Sequence, residues 1–126
     1  MKINVIKRVE KTWGHELWII NTPDYCGKEL HIKKDKCSSE WRYHYHIVKD
    51  ETFYVIKGKL ILDYVDRNNI FHSVILKPGA AFRIRPYIKH RFSTKSFWGC
   101  TFMEFSTEHS DEDSYRCEYI NKEWIE

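Results

Sequence analysis

Residues 51–65 read ETFYVIKGKLILDYV. Two runs rich in β-branched and aromatic side chains, Thr52–Lys57 and Lys59–Val65, flank a single glycine, Gly58. Such side chains suit a pleated, half-buried surface, and glycine tolerates the positive φ of a tight connection. The stretch therefore reads as two strands joined by a hairpin turn. The run Glu51–Ile56 is apolar or aromatic on both parities after its first residues. A strand with one solvated face would alternate, so the second face is expected to be covered, which points to a homodimer.

Outward from this stretch, further extended runs recur between turn signals. They are Lys28–Lys34, Glu40–His46, Ile70–Leu76, Ala81–Arg85, His90–Ser93 and Thr101–Ser106. Leu30 and Ile32 alternate with Glu29, His31 and Lys33, the period of a strand with one buried face. Asn68-Asn69 reads as a second hairpin turn, and Lys77-Pro78-Gly79 as a third turn, since Pro presets φ and Gly follows it. Composition agrees: Ile and Val together number 20, Leu and Ala only seven, so good helix formers are scarce. The expectation is an all-β chain, one domain over residues 1–126, folded as a sandwich or small barrel.

At 42% apolar and 31% charged residues the chain has the content of a globular protein, which excludes wholesale disorder. Lys and Arg number 21 against 18 Asp and Glu, a net charge of +3, with no run of basic residues. No nucleic-acid partner is expected. No stretch approaches the roughly 18 consecutive apolar residues of a membrane span. The start, MKINVIKRVE, lacks the apolar core of a signal peptide, so a cytoplasmic location and no membrane partner are expected. Cys26, Cys37, Cys100 and Cys117 form no CxxC pair and are expected as reduced, part-buried thiols.

The chemistry concentrates at His44-Tyr45-His46, Glu51 and His90. On a strand, positions i and i+2 share a face, so His44 and His46 point the same way. Glu51 follows after a turn, and His90 from a distant strand would complete a set of three nitrogens and one oxygen. That set suits one divalent transition metal, Mn, Fe, Co, Ni or Zn. An octahedral ion so held keeps two positions for water or substrate. Arg83 and Arg85 alternate on one face of a strand leading towards His90, and Arg42 shares parity with His44 and His46. These arginines are candidates for binding an anionic substrate.

As a unit, His44-x-His46, Glu51 and Gly58 resemble the first motif of the cupin superfamily. Pro78-Gly79, Pro86 and His90 resemble its second. Thr12-Trp13-Gly14, His90-Arg91, Met103–Thr107 and Asp111–Arg116 are similar to segments in the cupin module of type II mannose-6-phosphate isomerases. The likeness runs from Lys11 to Tyr119. It departs at Arg85, at Tyr87 and over Ser38–Tyr43, positions that bear on substrate rather than on fold or metal.

The resemblance implies a jelly-roll β-sandwich or barrel and a metal-dependent aldose–ketose isomerase acting on a sugar phosphate. Proton transfer and hydride shift are both open as routes. For proton transfer the candidate base is Glu104, with His109 and Tyr43 behind it. Other readings are a carbohydrate- or metal-binding cupin without turnover, an Fe(II) dioxygenase, and a metal-free sugar-nucleotide epimerase or isomerase.

Overall fold

Strands account for most of the chain in the computed structural model, which describes residues 3 and 6–126. In chain order they are β1 (Lys7–Lys11), β2 (Gly14–Asn21), β3 (Cys26–Ile32), β4 (Tyr43–Tyr45), β5 (Glu51–Lys57) and β6 (Leu60–Val65). There follow β7 (Phe71–Leu76), β8 (Ala81–Ile84), β9 (Lys89–Ser93), β10 (Cys100–Ser106), β11 (Tyr115–Ile120) and β12 (Glu123–Ile125). One six-stranded sheet has the order β1-β2-β3-β10-β5-β8 and the other β12-β11-β4-β9-β6-β7. Every pairing is antiparallel. The all-β sandwich expected from the sequence is the fold.

Gly58 is not a hairpin turn. β5 pairs with β10 and β8, whereas β6 pairs with β7 and β9, so the chain changes sheets at Gly58. Both strands bury alternate residues against the same interior: Phe53 and Val55 from one side, Leu60 and Leu62 from the other. Two runs that face a shared core from opposite layers carry the same pattern as two that pair edge to edge, which is why local sequence misreads this corner. Lys77-Pro78-Gly79 makes a second crossing, from β7 to β8, and Gly79 N–H bonds Val55 C=O at 2.9 Å. The Asn68-Asn69 turn is a true hairpin, with β6 and β7 in continuous register from Leu60↔Leu76 to Val65↔Phe71.

A second correction concerns Glu40–His46. Ser38–Trp41 forms an irregular, kinked turn in which Ser39, Glu40 and Trp41 have positive φ, and only Tyr43–Tyr45 is strand. Tertiary hydrogen bonds hold the turn: Ser38 Oγ accepts the Phe92 N–H at 3.0 Å, and Arg91 Nη1 donates to Trp41 C=O at 2.6 Å.

The core joins Trp13, Leu30, Ile32, Phe53, Val55, Leu60, Leu62, Leu76, Ile84, Phe92, Cys100 and Phe102. Phe53, Phe92 and Phe102 meet edge to face with centroids 5.1–5.8 Å apart. This core fills one part of the space between the sheets. Towards β4, β11 and the start of β5 the inward residues become polar, and there the sandwich opens into a cavity.

Candidate metal centre and its cavity

β4 and β9 pair at one register point, His44 opposite His90, with ring centroids 4.1 Å apart. His46 lies one residue beyond β4, its ring 5.5 Å from His44 and 5.9 Å from His90. One ring nitrogen from each histidine lies within 4.8 Å of the others. Glu51, the first residue of β5, reaches in from the opposite sheet. Its Oε2 is 3.1 Å from His46 Nε2 and its Oε1 is 3.4 Å from His90 Nε2.

The hydrogen bonds on the far side of each ring settle which nitrogens carry lone pairs. His46 Nδ1–H donates to Asp113 C=O at 2.6 Å, and His90 Nδ1–H donates to Ile88 C=O at 2.8 Å. In the neutral imidazole the Nε2 of each is then an unprotonated ligand atom. Both face a carboxylate, which also offers only lone pairs. Accordingly His90 Nε2 and Glu51 Oε2 are buried with no hydrogen-bond partner among the described residues. Orphaned acceptors converging on one point call for a cation between them. Three imidazoles with a carboxylate beside them suit a divalent first-row ion, and the His44–His46–His90 cluster could hold one such metal.

For His44, electrostatics point the same way. Burial, reinforced by His90 and His46, pushes the His44 imidazole well below its ordinary pKa, which keeps it neutral and ready to ligate. Burial disfavours the Glu51 carboxylate, yet His46, His90 and Lys49 outweigh it and hold Glu51 well below the carboxyl range. For His46, burial opposes the cation, but the Glu51 carboxylate 3.1 Å from Nε2 prevails and raises its pKa, so a proton competes with a metal ion for that nitrogen.

The centre opens into a cavity of about 570 Å³, within the range of small-molecule sites. Besides the centre, Glu16, Lys28, Arg42, Glu104, His109 and Arg116 line it. Glu104, on β10, shares Oε2 between Lys49 Nζ at 2.6 Å and Ser106 Oγ at 3.1 Å, which leaves Oε1 free of hydrogen bonds among the described residues. Lys49 Nζ also donates to His109 Nδ1 at 3.2 Å and lies 3.8 Å from Glu51 Oε2, so it ties Glu104, His109 and the centre together. His109 Nε2–H donates to Asp111 at 2.8 Å. Burial, then the charge of Lys28, lowers the His109 pKa.

Three of the sequence candidates fall outside this cavity. Arg83 and Arg85 do share a face, but Phe82 and Ile84 take the inward positions on β8, so both arginines point to solvent. Arg83 forms a two-pronged pair with Asp50, through Nε at 3.0 Å and Nη2 at 2.5 Å. Tyr43 alternates with His44 and faces a separate recess, where Arg91 stacks on its ring at 4.5 Å. Arg42 does line the cavity, as Glu104 and His109 do.

Lys28, Arg116 and Asp113 were not foreseen as site residues. Lys28 carried a readable signal: it shares parity with Leu30 and Ile32, so a lysine occupies a core-facing position of β3. Arg116 is the register partner of His44 on β11, a strand whose mixed polar sequence gave no alternation to read.

A two-sheet β-sandwich with a histidine cluster at its polar end is the architecture of a metal-binding jelly roll. The sequence also matches the cupin domain model over residues 29–97, more than half of the chain, and the chain belongs to the cupin family. In fold it is similar to oxalate decarboxylase from Bacillus subtilis, at 13% identity and a TM-score of 0.77, over 88% of this chain and 30% of that one. It is likewise similar to the capsular polysaccharide assembling protein CapF from Staphylococcus aureus, at 18% identity and a TM-score of 0.78, over 90% and 32%. The chain thus spans about a third of the length of these two, and at such identities the likeness is one of fold. No curated protein matches the sequence. No helix among the described residues is long and apolar enough to cross a membrane.

Proposed function

We propose that this cupin is a metal-dependent isomerase interconverting an aldose and a ketose, with a sugar or sugar phosphate of the mannose 6-phosphate type as substrate. The observation that carries this reading is the convergence of unpartnered lone pairs from His90 and Glu51 beside His44 and His46, at the floor of a polar cavity that also holds Glu104. His44, His46, His90 and Glu51 would hold the ion, which when bound supplies Lewis-acid polarisation of a carbonyl oxygen. Glu104 is the base: its free Oε1 takes the proton from C2 and returns it to C1, while the O2 proton passes to O1. Atoms balance, and no oxidant or reductant is consumed. Lys49 fixes Glu104 through Oε2 and aims the free oxygen into the cavity. Arg42, on the cavity wall, would bind substrate oxygens, and His109, whose two ring nitrogens are taken by Lys49 and Asp111, would hold Lys49 in position.

The test combines metal content with turnover. Protein purified without chelators should carry close to one Mn, Fe, Co, Ni or Zn per monomer by elemental mass spectrometry. Incubated with mannose 6-phosphate and a panel of other aldoses and aldose phosphates, it should yield the ketose by NMR, and Glu104→Gln should lose that activity. Bound metal with no product across the panel would overturn the isomerase reading in favour of a binding cupin.

The 3.1 Å approach of His46 Nε2 to Glu51 Oε2, with the raised pKa of His46, favours a second reading. A proton held between them would satisfy Glu51 Oε2 without metal, as an acid–base epimerase or isomerase of sugar nucleotides would use it, and would leave His90 Nε2 unpaired. Full activity after exhaustive chelation would select this reading.

A homodimer and a cytoplasmic location complete the proposal. Tyr54 and Ile56, on the outer face of β5, are 41% and 47% exposed, and covering them is the role assigned to a second copy. All four cysteines are free and buried, in keeping with a reducing compartment. Sedimentation at twice 15.4 kDa is expected, and a monomer would sink the dimer.

A further inference from the structure

Lys28 is the most deeply buried lysine of the described residues, at 1% exposure, and it lines the cavity. Its neighbours hold it without saturating it. The Trp18 ring lies 4.2 Å from Nζ, a cation–π contact that uses the charge but accepts no conventional hydrogen bond. Glu16 Oε1 is 3.7 Å away, beyond hydrogen-bonding distance, and that oxygen already accepts the Trp18 indole N–H at 2.8 Å. Among the described residues no acceptor bonds Nζ. An ammonium has three donors, and those of Lys28 are left to the cavity that the residue lines rather than to protein acceptors. Lys49, the other buried lysine of the cavity, differs: Glu104 and His109 both take its donors.

We propose that Lys28 is the anchor for an oxyanion of the substrate, so that the cavity selects an acidic polyhydroxylated molecule, a sugar phosphate or a sugar carboxylate, over a neutral sugar. This rests on the reading of the cavity as the substrate site, and it replaces Arg83 and Arg85 in the anion-binding role. The site is pre-organised: Lys28 lies between its register partners Trp18 on β2 and Glu104 on β10, all in one rigid sheet. An anion at Nζ displaces no existing hydrogen bond of Lys28. Glu16 keeps the site from holding a permanent excess positive charge and also repels the incoming anion, so its carboxylate tunes affinity downwards.

The test is calorimetric titration of the metal-loaded full chain with mannose 6-phosphate, glucuronate and mannose. At least one acidic probe should bind tenfold or more tightly than mannose. Which one does so separates phosphate from carboxylate. Lys28→Met, close in volume, should erase that preference while changing mannose binding less than twofold, and Lys28→Arg should retain most of it. Glu16→Gln should tighten the acidic probe severalfold. Equal binding of all three probes, no binding by any, or an unchanged preference in Lys28→Met would overturn the anchor. If Lys28→Met does not fold, as judged by circular dichroism, Glu16→Gln decides alone: a loss or no change in acidic-probe affinity overturns the proposal. The readout is binding, so an absence of isomerase turnover alongside a Lys28-dependent preference would refute the activity and leave the anchor standing.

Discussion

Asp113 grips the segment that carries His46 at both ends of that segment's polarity. Its carbonyl accepts the His46 Nδ1–H at 2.6 Å, while its carboxylate accepts the backbone N–H groups of Ile47, Val48 and Lys49 at 2.8–3.2 Å. A single side chain and its carbonyl, two residues before β11, thus fix the tautomer of a candidate ligand and the turn that delivers Lys49 and Glu51.

Asp113→Ala keeps the backbone carbonyl that holds His46 but frees the turn over 47–49, so it should weaken metal binding by less than the roughly tenfold lost with a direct outer-shell partner. It should lower stability by about 1 kcal/mol after allowance for solvent screening. Asp113→Asn, which keeps one acceptor, should fall between. The pH dependence has a definite sign. Burial disfavours the Asp113 carboxylate, but the three N–H groups outweigh it and its pKa is lowered. A depressed folded pKa gives stability that is present above the unfolded value, about 3.9, and lost as pH falls through the folded one. The Tm gap between wild type and Asp113→Ala should stay constant from pH 7 to about 5 and shrink below 4. A gap independent of pH would contradict the role of the charge.

His46→Ala should reduce bound metal from near one per monomer to a small fraction, with β-structure retained by circular dichroism. The wild-type Tm should rise on adding metal because the ion binds the native state, and the variant's should not. Unchanged metal content in His46→Ala would remove His46 from the ligand set.

What was legible in the sequence divides along a physical line. Alternation marked β3, and β-branched and aromatic runs between turn signals such as Asn68-Asn69 marked β5–β10, because each has a face on the apolar core. The edge strands β1 and β12, and β11 between β12 and β4, bury little and read as polar, so no pattern announced them. Pairing was harder still: the Gly58 corner looked like a hairpin, since burial constrains side-chain parity and not the identity of the neighbouring strand. The histidines and Glu51 were readable as metal-ligand chemistry at strand spacing. Which arginines face inward was not, since Arg83 and Arg85 needed the burial of Phe82 and Ile84 to be placed.

Arg83→Met and Arg85→Met should leave sugar binding within about twofold of wild type, since mutations remote from a site and sharing no partner with it act independently. Arg42→Met, which alters the cavity wall itself, should weaken binding of a sugar phosphate measurably more. Titration of the three variants with mannose 6-phosphate checks this. A large effect at Arg83 with none at Arg42 would mean that the substrate lies elsewhere.

Gly58→Ala tests the sheet crossing directly. Gly58 has φ +78°, and a Cβ there would lie 2.3 Å from the carbonyl oxygen of Gly99, itself at φ +81°. Two strained positions thus meet backbone to backbone where the chain passes from β5 to β6 and enters β10. Neither side of the clash is a flexible side chain, so relief requires the backbone to part just beyond the last registered pair of β5 and β10, Lys57↔Thr101. The expected loss is at least about 2 kcal/mol, the sum of left-handed strain and displaced backbone. That corresponds to a Tm drop of several degrees for a domain of this size. Gly79→Ala is the control: its φ is +92°, but nothing lies within 4 Å of the added Cβ, so it carries strain without collision. Thermal unfolding should rank wild type above Gly79→Ala and Gly79→Ala above Gly58→Ala. Equal losses at the two positions would show that φ alone, and not the approach of Gly99, demands glycine at the corner.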